Sequence, residues 1–366
     1  MKKLFTKCLF FIPILILIIS TNFFIDPLYK FKTNPLKNVI KNKINQHYLS
    51  NVSEMMKKGY NITNFNPIID RDFQKYIIEN NSNKSTKIVL GSSRTQLIQK
   101  DTRDSIYFRN SSVHNASIQD IVAIYWLFEE KKYNINKIIL GIDPLMLMED
   151  DDATEWRSLE NEFRVMYNKL MPFSENSYLK YNTINNLKIL ISLTYFKNTI
   201  SYLIHMLKKD YYFTKETENT NRTLLQNGSM VSSKDNIVNK EKTETKTALK
   251  AENIIQIASM YNLNNMSKLS DKKKMLIKSF INYLKKKNIK IEIFLGPFHP
   301  IVYKYFNENR KFKGVILAEK FVEEIAKENS IKIVGSYNPS KFKLTSDYFS
   351  DGIHPNQKCI NYFFNQ

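Results

Sequence analysis

The longest uncharged stretch of the chain lies at its start, where residues 8–25, between Lys7 and Asp26, are dominated by Ile, Leu and Phe. An α-helix needs roughly 20 predominantly apolar residues to cross the hydrocarbon of a bilayer, so this run reads as one membrane-spanning helix. Lys2, Lys3 and Lys7 on its short leading side favour a cytoplasmic N-terminus and place the bulk of the chain outside. A cleaved signal peptide is the competing reading, although residues 20–24 (Ser-Thr-Asn-Phe-Phe) offer no clear small-x-small site. Either reading exports the protein.

Further along, the hydrophobic pattern becomes short β-branched runs that end in glycine. Ile88-Val89-Leu90 precedes Gly91, and Ile138-Ile139-Leu140 precedes Gly141. Such runs read as buried strands feeding loops. Residues 105–108, 289–295 and 331–334 read as further strands, and 118–128, 269–287 and 315–329 have the apolar spacing of helices. Strand, helix and strand in this rhythm predict a parallel sheet with crossover helices. The expected fold is therefore α/β, a three-layer α/β/α sandwich with a mostly parallel sheet, a helical insertion and the N-terminal transmembrane helix.

The same texture divides the chain. Residues 1–28 form the anchor or signal, and 29–86 a polar lead-in stalk with some helix around 39–60 and loose packing. The core runs over 87–147 and resumes over 258–366. Between them, 148–257 is expected to be a helical insertion with a mobile lobe, a candidate lid: Asp150-Asp151-Asp152 opens it, 181–207 is helical, and 209–250 is polar. A structureless loop of that length inside a compact domain is unusual.

Composition changes this picture little. With 366 residues and 43% hydrophobic content the chain can bury a sizeable core. The formal charge of +20 raises the local concentration of anionic polymers or headgroups, but export argues against nucleic acid as the partner. The two cysteines, Cys8 and Cys359, have neither disulfide nor metal spacing. No cofactor and no metal are expected. Consecutive carboxylates such as 150–152 do not converge on an ion without a special loop.

Three separated segments carry candidate chemistry. Gly91-Ser92-Ser93-Arg94 follows one strand, Asn110-Ser111-Ser112-Val113-His114-Asn115-Ala116-Ser117 follows the next, and Asp351-Gly352-Ile353-His354-Pro355 lies near the end. A serine hydroxyl needs an imidazole within hydrogen-bond reach to take its proton, and the imidazole needs a carboxylate to fix its tautomer. Residues three apart share one side of a helical turn, so Asp351 can orient His354 toward Ser93. The Ser93 N–H is one candidate oxyanion donor. Asn115, which tolerates positive φ, is in place to supply a second.

These blocks resemble those of the SGNH (GDSL-like) hydrolase superfamily, and more closely its membrane-anchored branch with Gly-Ser-Ser in place of Gly-Asp-Ser, which serves teichoic acid D-alanylation and polysaccharide O-acylation. The resemblance covers residues 87–142 and 289–355, including Gly296-Pro297-Phe298-His299-Pro300 and Gly335-Ser336-Tyr337-Asn338-Pro339, and extends to Asp26-Pro27. It implies a flavodoxin-like sandwich, Ser93 as nucleophile, Asn115 at the oxyanion glycine, and Asp351 and His354 as acid and base. One departure is Gly141-Ile142-Asp143-Pro144, where the family has Gly-x-Asn-Asp. An ionised aspartate cannot donate to an oxyanion. Asp143 is then protonated, or orients another group, or marks a hole built differently.

The function implied is an extracytoplasmic serine acyltransferase or esterase acting on acyl esters of a cell-envelope polysaccharide or teichoic-acid-like polymer. Its expected place is the cytoplasmic membrane, in contact with lipid through the N-terminal helix. The alternative is a non-catalytic polymer-binding or scaffold partner of a membrane-bound O-acyltransferase. Arg94 is a candidate to hold an anionic or sugar-hydroxyl group, with a salt bridge to a neighbouring carboxylate as the competing role. His299 reads as a pocket wall or as a structural histidine bonded to backbone.

Overall fold

A computed structural model describes residues 2–31, 46–65, 69–80, 86–99, 107–149, 153–174, 178, 183–208, 211–215, 222–231, 240–256 and 266–364. Helices α1 (Lys2–Ile25), α2 (Gln46–Lys57) and α3 (Asp70–Asn80) accompany a short strand β1 (Asn61–Thr63). The first half of an α/β core follows as β2 (Lys87–Leu90), β3 (Phe108–Asn110), α4 (Ile118–Glu130) and β4 (Lys137–Gly141). The segment read as an insertion holds α5 (Glu160–Leu170), α6 (Thr183–Leu190), α7 (Leu193–Lys208), β5 (Tyr212–Thr214), β6 (Thr223–Leu224), β7 (Met230–Val231) and α8 (Lys240–Gln256). The core then resumes as α9 (Asp271–Lys286), β8 (Lys290–Leu295), α10 (Pro300–Glu308), α11 (Lys313–Asn329), β9 (Lys332–Gly335) and α12 (Gln357–Phe364).

Five strands pair in parallel in the order β3-β2-β4-β8-β9. The first connection steps one way from β2 and every later one steps the other way, so the order reverses between β2 and β4. Right-handed crossovers then fall on opposite faces of the sheet. The strand pleat sorts the core accordingly. Ile88 and Leu90 of β2 and Ile293 and Leu295 of β8 pack with α4, α5, α9 and α11 on one face. Val89, Phe294 and Val334 face a second cluster built by α2, α3, α12 and the antiparallel strands.

Two parts of the sequence expectation are corrected. A mostly parallel sandwich is replaced by an α/β fold with both pairing modes, because β5-β1-β6-β7 form a separate antiparallel sheet. Its strands are only two or three residues long and lie in polar sequence, too short for an alternation to register. In the lead-in, Asp70, Arg71, Asp72, Phe73 and Gln74 of α3 are all buried.

The membrane span is the second correction. Residues 8–25 are helical, but among the described residues no helix is long and apolar enough to cross a membrane. The second half of α1 is committed to the protein itself. Asn22 is fully buried and its Nδ2 donates to the carbonyls of Ile189, Leu190 and Ser192 at 2.9–3.2 Å, at the end of α6. Asp26 accepts from the Tyr195 hydroxyl at 2.6 Å and from the N–H groups of Lys30 and Phe31. The exposed apolar stretch with described side chains is residues 11–17, which at about 1.5 Å per residue rises far less than the roughly 30 Å of a bilayer core. The cytoplasmic-membrane location and the lipid partner are withdrawn with the span. The envelope polymer and the membrane-bound O-acyltransferase, which the resemblance implied together with that anchor, are withdrawn as well. The triplet 150–152 and parts of 209–250 lie outside the described residues.

Gly91 and Gly141, at the ends of the neighbouring strands β2 and β4, are required by Thr95, whose side chain lies between them. A Cβ on Gly91 would sit 2.6 Å from Thr95 Oγ1, and one on Gly141 would overlap Thr95 Cγ2. The Thr95 hydroxyl hydrogen-bonds Ser92 O and Ser112 Oγ, both at 2.7 Å, so it closes the loop after β2 against the loop after β3. Gly141→Ala is therefore expected to destabilise the protein by about 1–3 kcal/mol through overpacking. Adding Thr95→Ser, which removes the methyl and keeps the hydroxyl, should recover most of that loss. Urea denaturation of the two single variants and the double variant checks this, and strictly additive effects would contradict the wedge.

Candidate active site

All the loops that carry candidate chemistry leave the carboxyl ends of the parallel strands, and β2 and β4 flank the point where the strand order reverses. Open α/β sheets bind ligands in the crevice at such a point. Ser93 follows β2, Asn115 follows β3, Asp143 follows β4 and His299 follows β8. Among residues 91–98 Ser93 alone is not buried.

The structure brings Ser93, His354 and Asp351 together. Ser93 Oγ lies 2.9 Å from His354 Nε2. His354 Nδ1 lies 2.8 Å from Asp351 Oδ2 and 3.1 Å from Oδ1. Because an ionised carboxylate only accepts, Nδ1 carries the ring proton and Nε2 is left to accept from the serine hydroxyl. Asp351 Oδ1 also accepts from the N–H groups of Ile353 and His354 at 2.8 and 2.9 Å. Burial works against the charge of this carboxylate, but His354 and the two N–H groups outweigh it and hold its pKa at about 2. The carboxylate that orients the ring is thus ionised throughout the neutral and mildly acidic range.

Arg94 and Asp143 do not face a ligand. The guanidinium is buried, donates through Nη1 to Asp143 Oδ1 at 3.0 Å and through Nη2 to Pro297 O at 2.9 Å and to Gly296 O, and lies 4.0 Å above the Phe298 ring. Asp143 Oδ2 accepts from the Ser92 hydroxyl, which in turn accepts from Arg94 N–H at 3.2 Å. Of the alternatives left by the sequence, Asp143 therefore orients another group: it ties the Ser93 loop to the end of β4, while Arg94 ties it to the end of β8.

His299 is also structural. It is fully buried, its Nδ1 accepts from Ile301 N–H at 3.3 Å as the N-cap of α10, and its Nε2 lies 2.9 Å from Ser346 Oγ. Its backbone N–H donates to Gly352 O at 3.1 Å, which fixes the loop between Asp351 and His354. Burial pushes the imidazole down to about 4, against the opposing pull of Asp351.

The second loop runs beside the first. Ser111 N–H donates to Val89 O at 2.9 Å and Val113 N–H to Gly91 O at 3.0 Å, so the β2–β3 ladder continues past the strand ends and carries the turn at 113–115 alongside the Ser93 turn. Asn115 adopts φ 47°, the left-handed conformation that asparagine accepts. Its side chain is exposed and donates to Glu155 Oε1 at 3.1 Å. Among the described residues neither Ser93 N–H nor Asn115 N–H donates to a protein acceptor.

Sequence reasoning missed the groups that hold these loops. Asn110, fully buried, donates to the carbonyls of Thr95, Gln96 and Ile98 at 2.8–3.3 Å. Asp70 accepts from His114 N–H at 2.5 Å and lies 3.2 Å from His114 Nδ1. Arg71 forms a two-point ion pair with Asp120, at 2.7 and 3.0 Å. The available signal was Ser117-x-x-Asp120, which forms a capping box at the start of α4. Among the described residues no group of three or more His, Cys, Asp or Glu side chains is placed to hold a metal ion. No protein-family model matches the chain, and no curated protein matches it in sequence.

The His299 shift makes a prediction about acid stability. An unfolded histidine protonates near pH 6.5 whereas the folded one resists to about 4, so the unfolded state binds the extra proton and stability falls as pH drops through that window. The expected loss between about pH 7 and about pH 4.5 is about 2 kcal/mol. His299→Asn, which keeps an N-cap acceptor and cannot titrate, should remove that part of the pH dependence. Chemical denaturation at the two pH values reads it out, and an unchanged slope in the variant would contradict the assignment.

Proposed function

We propose that the protein is a serine esterase or acyltransferase working through Ser93, His354 and Asp351, in keeping with the SGNH resemblance of its motifs. The observation that carries this reading is the unbroken chain from Ser93 Oγ to His354 Nε2 at 2.9 Å and from Nδ1 to Asp351 at 2.8 Å. Its position at the reversal of strand order and the exposure of Ser93 in an otherwise buried loop support it.

In this reading Ser93 Oγ attacks the carbonyl carbon of an acyl ester while His354 Nε2 takes the hydroxyl proton. Asp351 keeps the ring in the productive tautomer and stabilises the imidazolium that forms. The carbonyl oxygen gains the negative charge and is met by the N–H groups of Ser93 and Asn115, which have no protein acceptor to leave. Collapse of the tetrahedral intermediate breaks the ester C–O bond, and the leaving alkoxide takes the proton from His354. Water or a sugar or polyol hydroxyl then attacks the acyl-serine by the reverse sequence, with His354 as base. Asp143 is not part of the oxyanion hole; its charge is held by Arg94.

Ser93→Ala is expected to lower turnover of a small chromogenic acetyl ester by at least about 10³-fold, and to abolish the mass increment left on the intact protein by a serine-directed fluorophosphonate. Equal turnover and equal labelling in the wild type and the variant would overturn the reading.

A further inference from the structure

The peptide between His114 and Asn115 is gripped from behind by a side chain that lies in the lead-in segment. Arg71, on the first turn of α3, is 4% exposed. Its Nη2 donates to His114 O at 3.0 Å and to Asn115 O at 3.3 Å. The remaining contacts hold the guanidinium still: Nε and Nη2 pair with Asp120 at 2.7 and 3.0 Å, and Nη1 lies 3.3 Å from Asp70 Oδ1. Burial opposes the charge, but Asp120 and Asp70 overcome it and keep Arg71 protonated. Asp120 is itself fixed by the N–H and hydroxyl of Ser117 at 2.8 and 2.9 Å.

Direction follows from the geometry of the peptide group. In a trans peptide the C=O and the N–H point opposite ways. The His114 C=O and the Asn115 N–H belong to one peptide, so a carbonyl turned toward Arg71 turns the Asn115 N–H away from α3. Asp70, also on α3, takes the His114 N–H at 2.5 Å, and Glu155 takes the Asn115 side-chain amide at 3.1 Å. The left-handed φ of Asn115 completes a turn with little freedom to rotate that plane. Its one uncommitted main-chain donor is the Asn115 N–H.

We infer that Arg71 is a positioning residue for acyl transfer: it aims the Asn115 N–H at the oxyanion without touching substrate, and so makes the lead-in helix a working part of the site. The inference rests on the reading of Ser93 as nucleophile. It goes beyond that reading in assigning a role to a residue outside the segments that carry the candidate triad. Lysine at this position keeps the charge, but a single ammonium cannot pair with Asp120 through two nitrogens and also reach two successive carbonyls.

The test compares the wild type, Arg71→Lys and Arg71→Gln in the full chain with a chromogenic acetyl ester, with kcat expressed per folded molecule from near-ultraviolet circular dichroism. A misdirected oxyanion donor lowers kcat by about 10²-fold and leaves KM near the wild-type value. The rate of Ser93 labelling by a fluorophosphonate should fall in parallel, since its phosphoryl oxygen uses the same donors. Methylguanidinium at millimolar concentration should restore part of kcat to Arg71→Gln and none to Ser93→Ala. Wild-type kcat per folded molecule in Arg71→Lys, with only stability reduced, would overturn the inference while leaving the Ser93 reading intact. Loss of difference between the wild type and Ser93→Ala would instead overturn the reading itself.

Discussion

The candidate site depends on a buried guanidinium, that of Arg94, which joins three strand ends. It sits one residue after Ser93 and bonds to Asp143 after β4 and to the carbonyls of Gly296 and Pro297 after β8. Parallel strands leave their last carbonyls and following loops without ladder partners, and an exposed lysine in this place would leave those acceptors to water. Breaking a buried pair of this kind strands the remaining charge at a cost of about 3–5 kcal/mol. The same bonds that stabilise the sheet end also fix where the Ser93 hydroxyl points. Stability and geometry are one constraint here.

Arg71 repeats the device at the next loop. Both guanidiniums are buried, both pair with carboxylates, Arg94 with Asp143 and Arg71 with Asp120 and Asp70, and both also donate to main-chain carbonyls. On the third side, His299 caps α10 and holds the loop of Asp351 and His354 through Gly352 O. Each candidate group is thus carried on a turn held by buried polar contacts: Thr95 Oγ1 on Ser92 O, Arg71 on His114 O, and the His299 N–H on Gly352 O. A site within tenths of an ångström of productive geometry needs this kind of support. Thr95 supplies the remaining contact, wedged between Gly91 and Gly141 with its hydroxyl joining the first two turns.

The α/β core was legible because its strands read as continuous apolar runs, such as Ile88-Val89-Leu90, buried on both faces of β2, and Ile138-Ile139-Leu140. The local unit Asp351-x-x-His354 was legible because its partners are three residues apart. Long-range partners left no such trace. Arg71 and Asp120 are 49 residues apart, and nothing in either segment points to the other. The antiparallel sheet was hidden for a related reason: β1 pairs with β5 and β6 across more than 140 intervening residues, in strands too short to show alternation. The role of Asp143 stayed open among three alternatives because a position, taken alone, does not tell what its side chain touches. The apolar run at the N-terminus was read as a span because hydropathy does not report that Asn22 donates three hydrogen bonds to the protein's own helix end.

The account stands most directly on where the oxyanion is held. A crystal structure of the wild-type protein after reaction with a small fluorophosphonate would place that oxygen, because the adduct carries a tetrahedral phosphorus in the position of the attacked carbonyl carbon. The account predicts phosphorus bonded to Ser93 Oγ, with its phosphoryl oxygen about 2.7–3.1 Å from both Ser93 N and Asn115 N, and with the Arg71 bonds to His114 O and Asn115 O retained. An adduct whose oxygen turns away from Asn115 N–H, or the absence of any adduct on Ser93, would contradict it.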